Sequence, residues 1–402
     1  MKGSGHDRVL VVGAGPVGLT AGLLLAQRGV PVTIIESEAT LTEDIRASGF
    51  HPPTLDLLEE SGLTAALLTR GRICRELQYR DHKLGKIVEF DYSVLKNDTR
   101  HPYRLQCEQF KLTHWAAGAF LDIPGSQLLY SHRLLALASN SDFVQATIAA
   151  PDGTRTISAK YVIGADGGRS TTRKAADISF QGFTYPERFL VIGTPADFKQ
   201  IIPDLCSLAY VADPNNSYSL FQNPDIWKVG FLALPETVTD EEAMSETNVE
   251  KQLQAIAPQS KTFVTPLRGV FHVHQRVADS YRSGRVFLAG DAAHINNPAG
   301  GMGMNGGIHD AVNLATRLAR VWHGQASDSE LDGYEAERRP LAIGAIAKQT
   351  DRNHRDLTTS NADRRQRVLE DWRRMSKDKN LQYQHMLQVS MIGPLRQSGM
   401  IQ

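Results

Sequence analysis

Cysteine is scarce in this chain of 402 residues, and the three present, Cys74, Cys107 and Cys206, are widely spaced with no CxxC pair. That odd, scattered set argues against a disulfide framework and a structural zinc, and it fits a reducing cytoplasm. An excess of charge of either sign is also missing, because 44 Lys and Arg balance 44 Asp and Glu. Without a general basic field, neither nucleic acid nor an anionic membrane surface is an expected partner. Long apolar runs are absent too: none approaches the roughly 20 residues needed to span a bilayer. Residues Met1 to Arg8 lack the basic and apolar segments of an export signal, so a soluble, cytoplasmic protein is expected. What is present, 41% hydrophobic and 22% charged residues, suffices for a sizeable core in two or three domains and excludes disorder and coiled coil.

The first segment has the pattern of a strand, a glycine turn, a helix and a second strand. Val9 to Val12 is β-branched; Gly13, Gly15 and Gly18 follow; Leu19, Leu23, Leu24 and Leu25 have helical spacing; Val32 to Ile35 is a strand ending at Glu36. Pro52 to Gly62 predicts a short amphipathic helix, residues 76–92 a hairpin, and Gln109 to Phe120 a helix. Strand patterns return at Phe143 to Ile148 and Thr156 to Ile163, joined by a turn at Pro151, Asp152 and Gly153. From Phe189 to Phe271 the apolar runs are short and antiparallel in character, with one helix over Val249 to Ala257. Arg285 to Ala289 is again a strand, followed by a glycine-rich loop and a helix from about Gly307 to Trp322. The tail from about Asp351 has the composition of docked helices.

Gly13, Gly15 and Gly18 form GxGxxG between a strand and a helix. The first glycine permits the tight turn, the second lets the backbone approach a pyrophosphate, and the third allows close helix packing. Glu36 stands where a carboxylate accepts from an adenosine ribose hydroxyl. The motif implies dinucleotide binding without separating FAD from NAD. Two further motifs bear on that choice: Gly164, Ala165, Asp166, Gly167, Gly168, Arg169, Ser170; and Gly290, Asp291 leading into the loop from Asn296 to Gly307. Together, and in this order, the three resemble the single-component FAD-dependent aromatic hydroxylases, the group A flavoprotein monooxygenases typified by p-hydroxybenzoate hydroxylase.

The resemblance implies an α/β fold: a Rossmann-like FAD-binding domain (1–73, 101–178 and 276–345), an inserted, mainly antiparallel β-sheet substrate domain (74–100 and 179–275), and a helical C-terminal segment (346–402). It implies FAD as cofactor, NADPH or NADH as a transient co-substrate, O2, and a small phenolic or heteroaromatic substrate hydroxylated through a flavin C4a-hydroperoxide. By the same resemblance Asp291 binds the flavin ribityl chain, and Pro298 with Gly303, Met304 and Asn305 faces the isoalloxazine ring. Arg46 lies near the cofactor phosphates, Gln109 contacts the flavin, and Asp166 serves both FAD and pyridine nucleotide, with Arg169 or Arg173 assisting. Pro298 therefore counts with the catalytic candidates, beside His272, His274 and Tyr210 as bases for a substrate hydroxyl.

Alternatives stay open at this stage. His272 and His274 share a strand face and are either structural or cavity-lining; Arg46 could be a surface residue and Asp291 a loop cap. No metal site is expected, since His294 has no ligand spacing around it. Epoxidation, Baeyer-Villiger oxidation and antibiotic inactivation share the same motifs, and a non-catalytic flavin-binding protein is the alternative of another class. A flavin halogenase is disfavoured because the tryptophans, Trp115, Trp227, Trp322 and Trp372, offer no Trp-x-Trp pair. Oligomeric state is undetermined, a homodimer included.

Overall fold

The computed structural model describes residues 6–43, 47–213, 216–234, 236–359 and 361–401. Its first unit is a six-stranded sheet with Val9–Val12 near the centre, parallel to Val32–Ile35 on one side and to Tyr161–Gly164 on the other. Val286–Leu288 continues the sheet in parallel beyond Tyr161–Gly164. All four residues of the first strand are buried, as expected for a β-branched run covered on both faces. One face packs on helices Pro16–Gln27, Gln109–Leu121 and Gly303–Trp322. The other packs on a three-stranded meander of Arg133–Ser139, Val144–Ala150 and Gly153–Ala159.

The second unit is an eight-stranded sheet in which Phe180–Thr194 and Leu267–Ala278 form the long antiparallel pair. Trp227–Leu234, Tyr218–Gln222 and Leu208–Ala212 follow by antiparallel pairing. Leu208–Ala212 then pairs in parallel with Glu76–Asp81, which forms the expected hairpin with Gly85–Asp91. One face of this sheet packs on Asp240–Met244 and Glu246–Ile256. The opposite face buries Leu77, Phe90 and Tyr210 against Leu357, Trp372, Met386 and Ile392. The C-terminal helices are thus one wall of this core. A small third sheet, Gly49–Phe50, Arg104–Gln106 and Arg72–Cys74, lies at the junction.

The architecture is the mixed α/β fold expected, and the differences are local. Helix Pro52–Leu58 stops four residues before Gly62, whose φ of +78° opens a second helix, Leu63–Arg70. The run Thr156 to Ile163 divides into two strands of different sheets, because the Lys160 amide turns to donate to the Arg8 carbonyl (2.8 Å). The helix expected from Gly307 begins at Gly303, so its first turn belongs to the glycine loop. Among the described residues no helix is long and apolar enough to cross a membrane.

Candidate active site at the strand ends

Parallel pairing brings three turns together. Gly13 follows the first strand, Ala165 follows Tyr161–Gly164, and Ala289 follows Val286–Leu288. The Ala165 amide donates to the Val12 carbonyl (2.8 Å), the Ala289 amide to the Gly164 carbonyl (2.9 Å), and the Gly13 amide to the Ile35 carbonyl (2.8 Å). All three glycine motifs therefore meet at the carboxyl ends of one sheet, where open α/β folds bind ligands.

Within the first turn the glycines differ. Gly13 has φ +102°, and a Cβ there would stand 2.5 Å from the Ala165 carbonyl oxygen. A Cβ on Gly18 would collide with the Gly13 carbonyl, whereas one on Gly15 would meet nothing within 4 Å. Gly13 and Gly18 are thus needed for closure, and Gly15 leaves a bare approach to the N-terminus of Pro16–Gln27. That helix has no side-chain cap and no acid in its first turn, which leaves its amides and dipole for an anion. Glu36 holds the turn: one carboxylate oxygen accepts from the Ala14 amide (2.7 Å) and the other from the Glu38 amide (3.0 Å) and Ser37 hydroxyl (3.1 Å). Glu36 itself is half-buried. Gln109 opens helix Gln109–Leu121, its amide donating to the Ala47 carbonyl (3.1 Å); Arg46 lies outside the described residues.

Asp166 is held by its own loop. Its carboxylate accepts from the Ser170 hydroxyl (2.6 Å), the Thr172 amide (2.9 Å) and the Thr172 hydroxyl (3.0 Å), capping helix Thr171–Ala175. Arg173 donates to the Ala292 and Gly168 carbonyls, both at 3.0 Å, so it stitches this loop to the Gly290 turn. Arg169 is exposed.

At the third turn Gly290 has φ +61° and Asp291 stands exposed in a one-turn helix, Gly290–Ala292. Beneath them lies a buried ionic cluster that the motifs do not announce. Asp310 is fully buried and accepts from the Gly290 amide (3.0 Å), His294 Nε2 (2.8 Å) and Arg338 Nε (2.7 Å). Burial alone would raise its pKa, but His294 and Arg338 overcome that and hold it at about 2.

The glycine loop turns through Gly300 (φ +106°) and Gly301 (φ +69°) before helix Gly303–Trp322, which has no acid in its first turn and no side-chain cap. Pro298 is exposed at the loop's tip, and Met304 packs on the core of the first unit. Asn305 is fully buried, with its carbonyl accepting from the His51 amide (2.9 Å) and Thr54 hydroxyl (2.7 Å), and its amide donating to the Gly49 and Gly301 carbonyls (both 2.8 Å). Its side chain shapes the loop and has no polar atom left to face a ring. Below the same loop, His51 Nε2 approaches the Gly300 carbonyl at 3.0 Å, and burial with Arg104 nearby lowers its pKa to about 3.

The histidine candidates share one face of their strand, and the glycine loop meets the other. Val273 points into the core, and the Gln275 side chain meets the Asn297 amide (3.3 Å) at the loop. His272 and His274, on the alternate face, point outward: the His272 side chain is 58% exposed and His274 Nδ1 pairs with the Thr184 hydroxyl (2.9 Å). Both side chains thus lie on the face opposite the one that meets the glycine loop. Tyr210 is buried on Leu208–Ala212, and its hydroxyl bonds to Arg104.

Arg104 is the residue sequence reasoning missed. It lies on the small junction sheet, 3% exposed, above the Phe221 ring (5.4 Å to the centroid), with Tyr210 edge-on to Phe221 (5.2 Å, 85°). A Cβ on Gly301 or Gly49 would collide with its guanidinium, so the cation lies directly against the glycine loop. The cleft fits a flavin dinucleotide: an uncapped helix with a bare Gly15 approach for phosphates, and buried polar atoms without protein partners, among them Gln106 Nε2 and Asn297 Nδ2, at the other end.

Comparison with known proteins agrees with this geometry. A family model described as FAD binding domain matches residues 7–349. The chain is 31% identical over 346 residues to para-nitrophenol 4-monooxygenase of Pseudomonas sp. (strain WBC-3), covering 84% of each chain. It is 29% identical to 6-hydroxy-3-succinoylpyridine 3-monooxygenase of Pseudomonas putida (strain DSM 28022 / S16), over 87% of this chain and 89% of that one. The crystal structure of p-nitrophenol 4-monooxygenase from Pseudomonas putida DLL-E4 superposes with a TM-score of 0.92 at 29% identity, covering 97% of this chain and 98% of that one.

Proposed function

We propose, from the premise that the chain belongs to the FAD-binding-domain family of flavin-dependent aromatic hydroxylases, that it hydroxylates a small phenolic or heteroaromatic molecule using NAD(P)H and O2. The observation carrying this reading is the convergence of the three glycine motifs at one set of strand ends, with an aromatic-walled junction beyond them. FAD, when bound, would supply the redox chemistry by which NAD(P)H and O2 put one oxygen atom on the ring and release the other as water. The chain's own residues bind and orient. Gly13, Gly15, Gly18 and the helix N-terminus would take the pyrophosphate, Glu36 the adenosine ribose, Asp291 the ribityl chain, and the Gly300–Met304 backbone the ring. Tyr210 and Phe221 would present an apolar surface that excludes water from the reacting ring.

The reductant reading rests on a cationic group in which Arg169 is exposed and Arg276 half-buried. Arg276 follows His274 on the outward face, and Ile295, paired with Arg276, packs against Gly168 beside Arg169. Burial, Arg276, His272 and Arg169 together lower the pKa of His274, as expected among neighbouring cations. A surface of this kind suits the phosphates of a visiting nucleotide. We keep the domain division set out above, with the 276–345 segment lending the edge strand His294–Ile295 to the large sheet.

The test is reconstitution with FAD, followed by a screen of phenols and heteroaromatic acids for stimulated NAD(P)H consumption and for products heavier by one oxygen atom. Failure to retain flavin, or consumption that yields only peroxide for every ring tried, refutes the reading.

A further inference from the structure

Arg104 poses an electrostatic problem that the protein alone does not solve. A guanidinium stays charged at any ordinary pH, and removing one from water costs several kcal/mol unless an anion faces it. The neighbours that bear on it are Tyr210, Tyr92 and Cys74. Burial pushes the Cys74 thiol up to about 12 and raises Tyr92 as well, so both are neutral near pH 7. Among the described residues no carboxylate is paired with Arg104, and its Nε has no partner. Other buried arginines here are neutralised or stitched: Arg338 pairs with Asp310, and Arg173 with two carbonyls.

The position of this uncompensated cation gives it a use. It lies between the glycine loop at Gly301 and the sheet residues Tyr210 and Phe221, where the reading above places a substrate ring. We propose that Arg104 is the anchor for one negative charge on the substrate, so that the enzyme takes an aromatic ring bearing a single oxyanion, a phenolate above all. The inference rests on the hydroxylase reading and narrows it. A neutral ring would leave the guanidinium unpaired, whereas a dianion would bring a second charge into a site with one cation. An acidic phenol, ionised in solution near neutral pH, leaves its proton in water and needs no base from the protein, which accords with the outward placement of His272 and His274.

The experiment uses FAD-loaded protein under anaerobic conditions without reductant. Affinities are measured for 4-nitrophenol and its methyl ether 4-nitroanisole, and for 4-hydroxybenzoate and its methyl ester; the nitrophenol band reports the ionisation state of bound ligand. The expected result is at least about tenfold tighter binding of an anion than of its uncharged partner, equivalent to about 1.4 kcal/mol. The bound phenolate band should also persist to lower pH than in free solution. Arg104→Gln abolishes the preference, and Arg104→Lys keeps part of it. A preference confined to the carboxylate pair supports the anchor with a carboxylate as its ligand. Equal affinities within both pairs in the unmodified protein, or a preference that survives in Arg104→Gln, overturn the proposal. The unmodified-protein comparison decides even if the variants misfold. Flavin retention and NAD(P)H oxidation on the same samples separate the two readings: turnover of uncharged rings independent of Arg104 refutes only the anchor, and Arg104-dependent anion binding without reductant consumption refutes only the hydroxylase.

Discussion

Replacing Asp310 with Asn keeps shape and removes one charge, at a position that touches neither cofactor nor substrate. One Asp310 oxygen accepts from both the Gly290 amide and His294, and the other accepts from Arg338. An Asn offers a single acceptor, so its NH2 must face a donor. A carboxyl that falls from 3.8 to about 2 on folding gains about 2.5 kcal/mol in its ionised form. Breaking a buried pair so that Arg338 is left unmatched costs about 3–5 kcal/mol. Asp310→Asn should therefore lower the melting temperature by roughly 5 to 10 °C. Because the Gly290 turn carries Asp291, FAD affinity should fall by about tenfold, or about 1.4 kcal/mol. The pH dependence has a definite sign. A folded pKa below the unfolded one gives stability that is full above about pH 4 and is lost as pH falls towards 2. The gap between the parent protein and the Asp310→Asn variant should thus be constant from pH 8 to 5 and close in acid. Thermal melts and flavin fluorescence titrations measure both quantities, and Arg338→Met supplies the double-mutant cycle. A variant melting within about 1 °C of the parent, or a gap that does not depend on pH below 4, refutes the reasoning.

Gly15→Val should weaken FAD binding at least about tenfold while leaving the melting point of flavin-free protein near the parent's, because the added carbons enter open space. Gly13→Ala, forced to φ +102° against the Ala165 carbonyl, should instead destabilise the flavin-free protein by about 1–3 kcal/mol in denaturant titration; the opposite ranking would show that the two roles are exchanged. Arg276→Ala should raise the KM for NAD(P)H several-fold with the flavin dissociation constant unchanged, and an unaltered KM would remove the outward cationic face from the reductant's route. His272→Ala should leave kcat within about twofold, which is under about 0.5 kcal/mol in barrier, whereas a hundredfold loss in steady-state rate would return that histidine to the chemistry.

Local patterns were legible in the sequence and long-range ones were not. Strand, Gly13–Gly18 and Glu36 are read from a segment short enough for spacing alone to place the carboxylate over the Ala14 amide. The Gly290–Asp291 turn is legible for the same reason. The phase of Leu267–Ala278 is not: period 2 puts His272 and His274 together, but which face turns inward is decided by Val273 joining the core that Leu357 and Trp372 close from later in the chain. Arg104 gives no periodic signal, since its meaning arises only when the junction sheet, Phe221 and Gly301 assemble around it. The early start of helix Gly303–Trp322 was hidden by glycine's poor helix propensity, which the four hydrogen bonds of Asn305 override. Asp166 is an intermediate case: its motif is visible in the sequence, and the cap its carboxylate places on the adjoining helix is visible only in the structure.

The shared wall of the large sheet has a consequence for the chain as it leaves the ribosome. Leu77 and Phe90 emerge early, yet the partners that cover them, Trp372, Met386 and Ile392, are made much later. The parallel sheet waits as well, because Val286–Leu288 must arrive before Tyr161–Gly164 gains its second neighbour. Until those segments appear, the nascent chain presents an apolar sheet face and an unpaired strand edge to its surroundings. A core built from segments so far apart in the sequence therefore closes only once the last helices have been made.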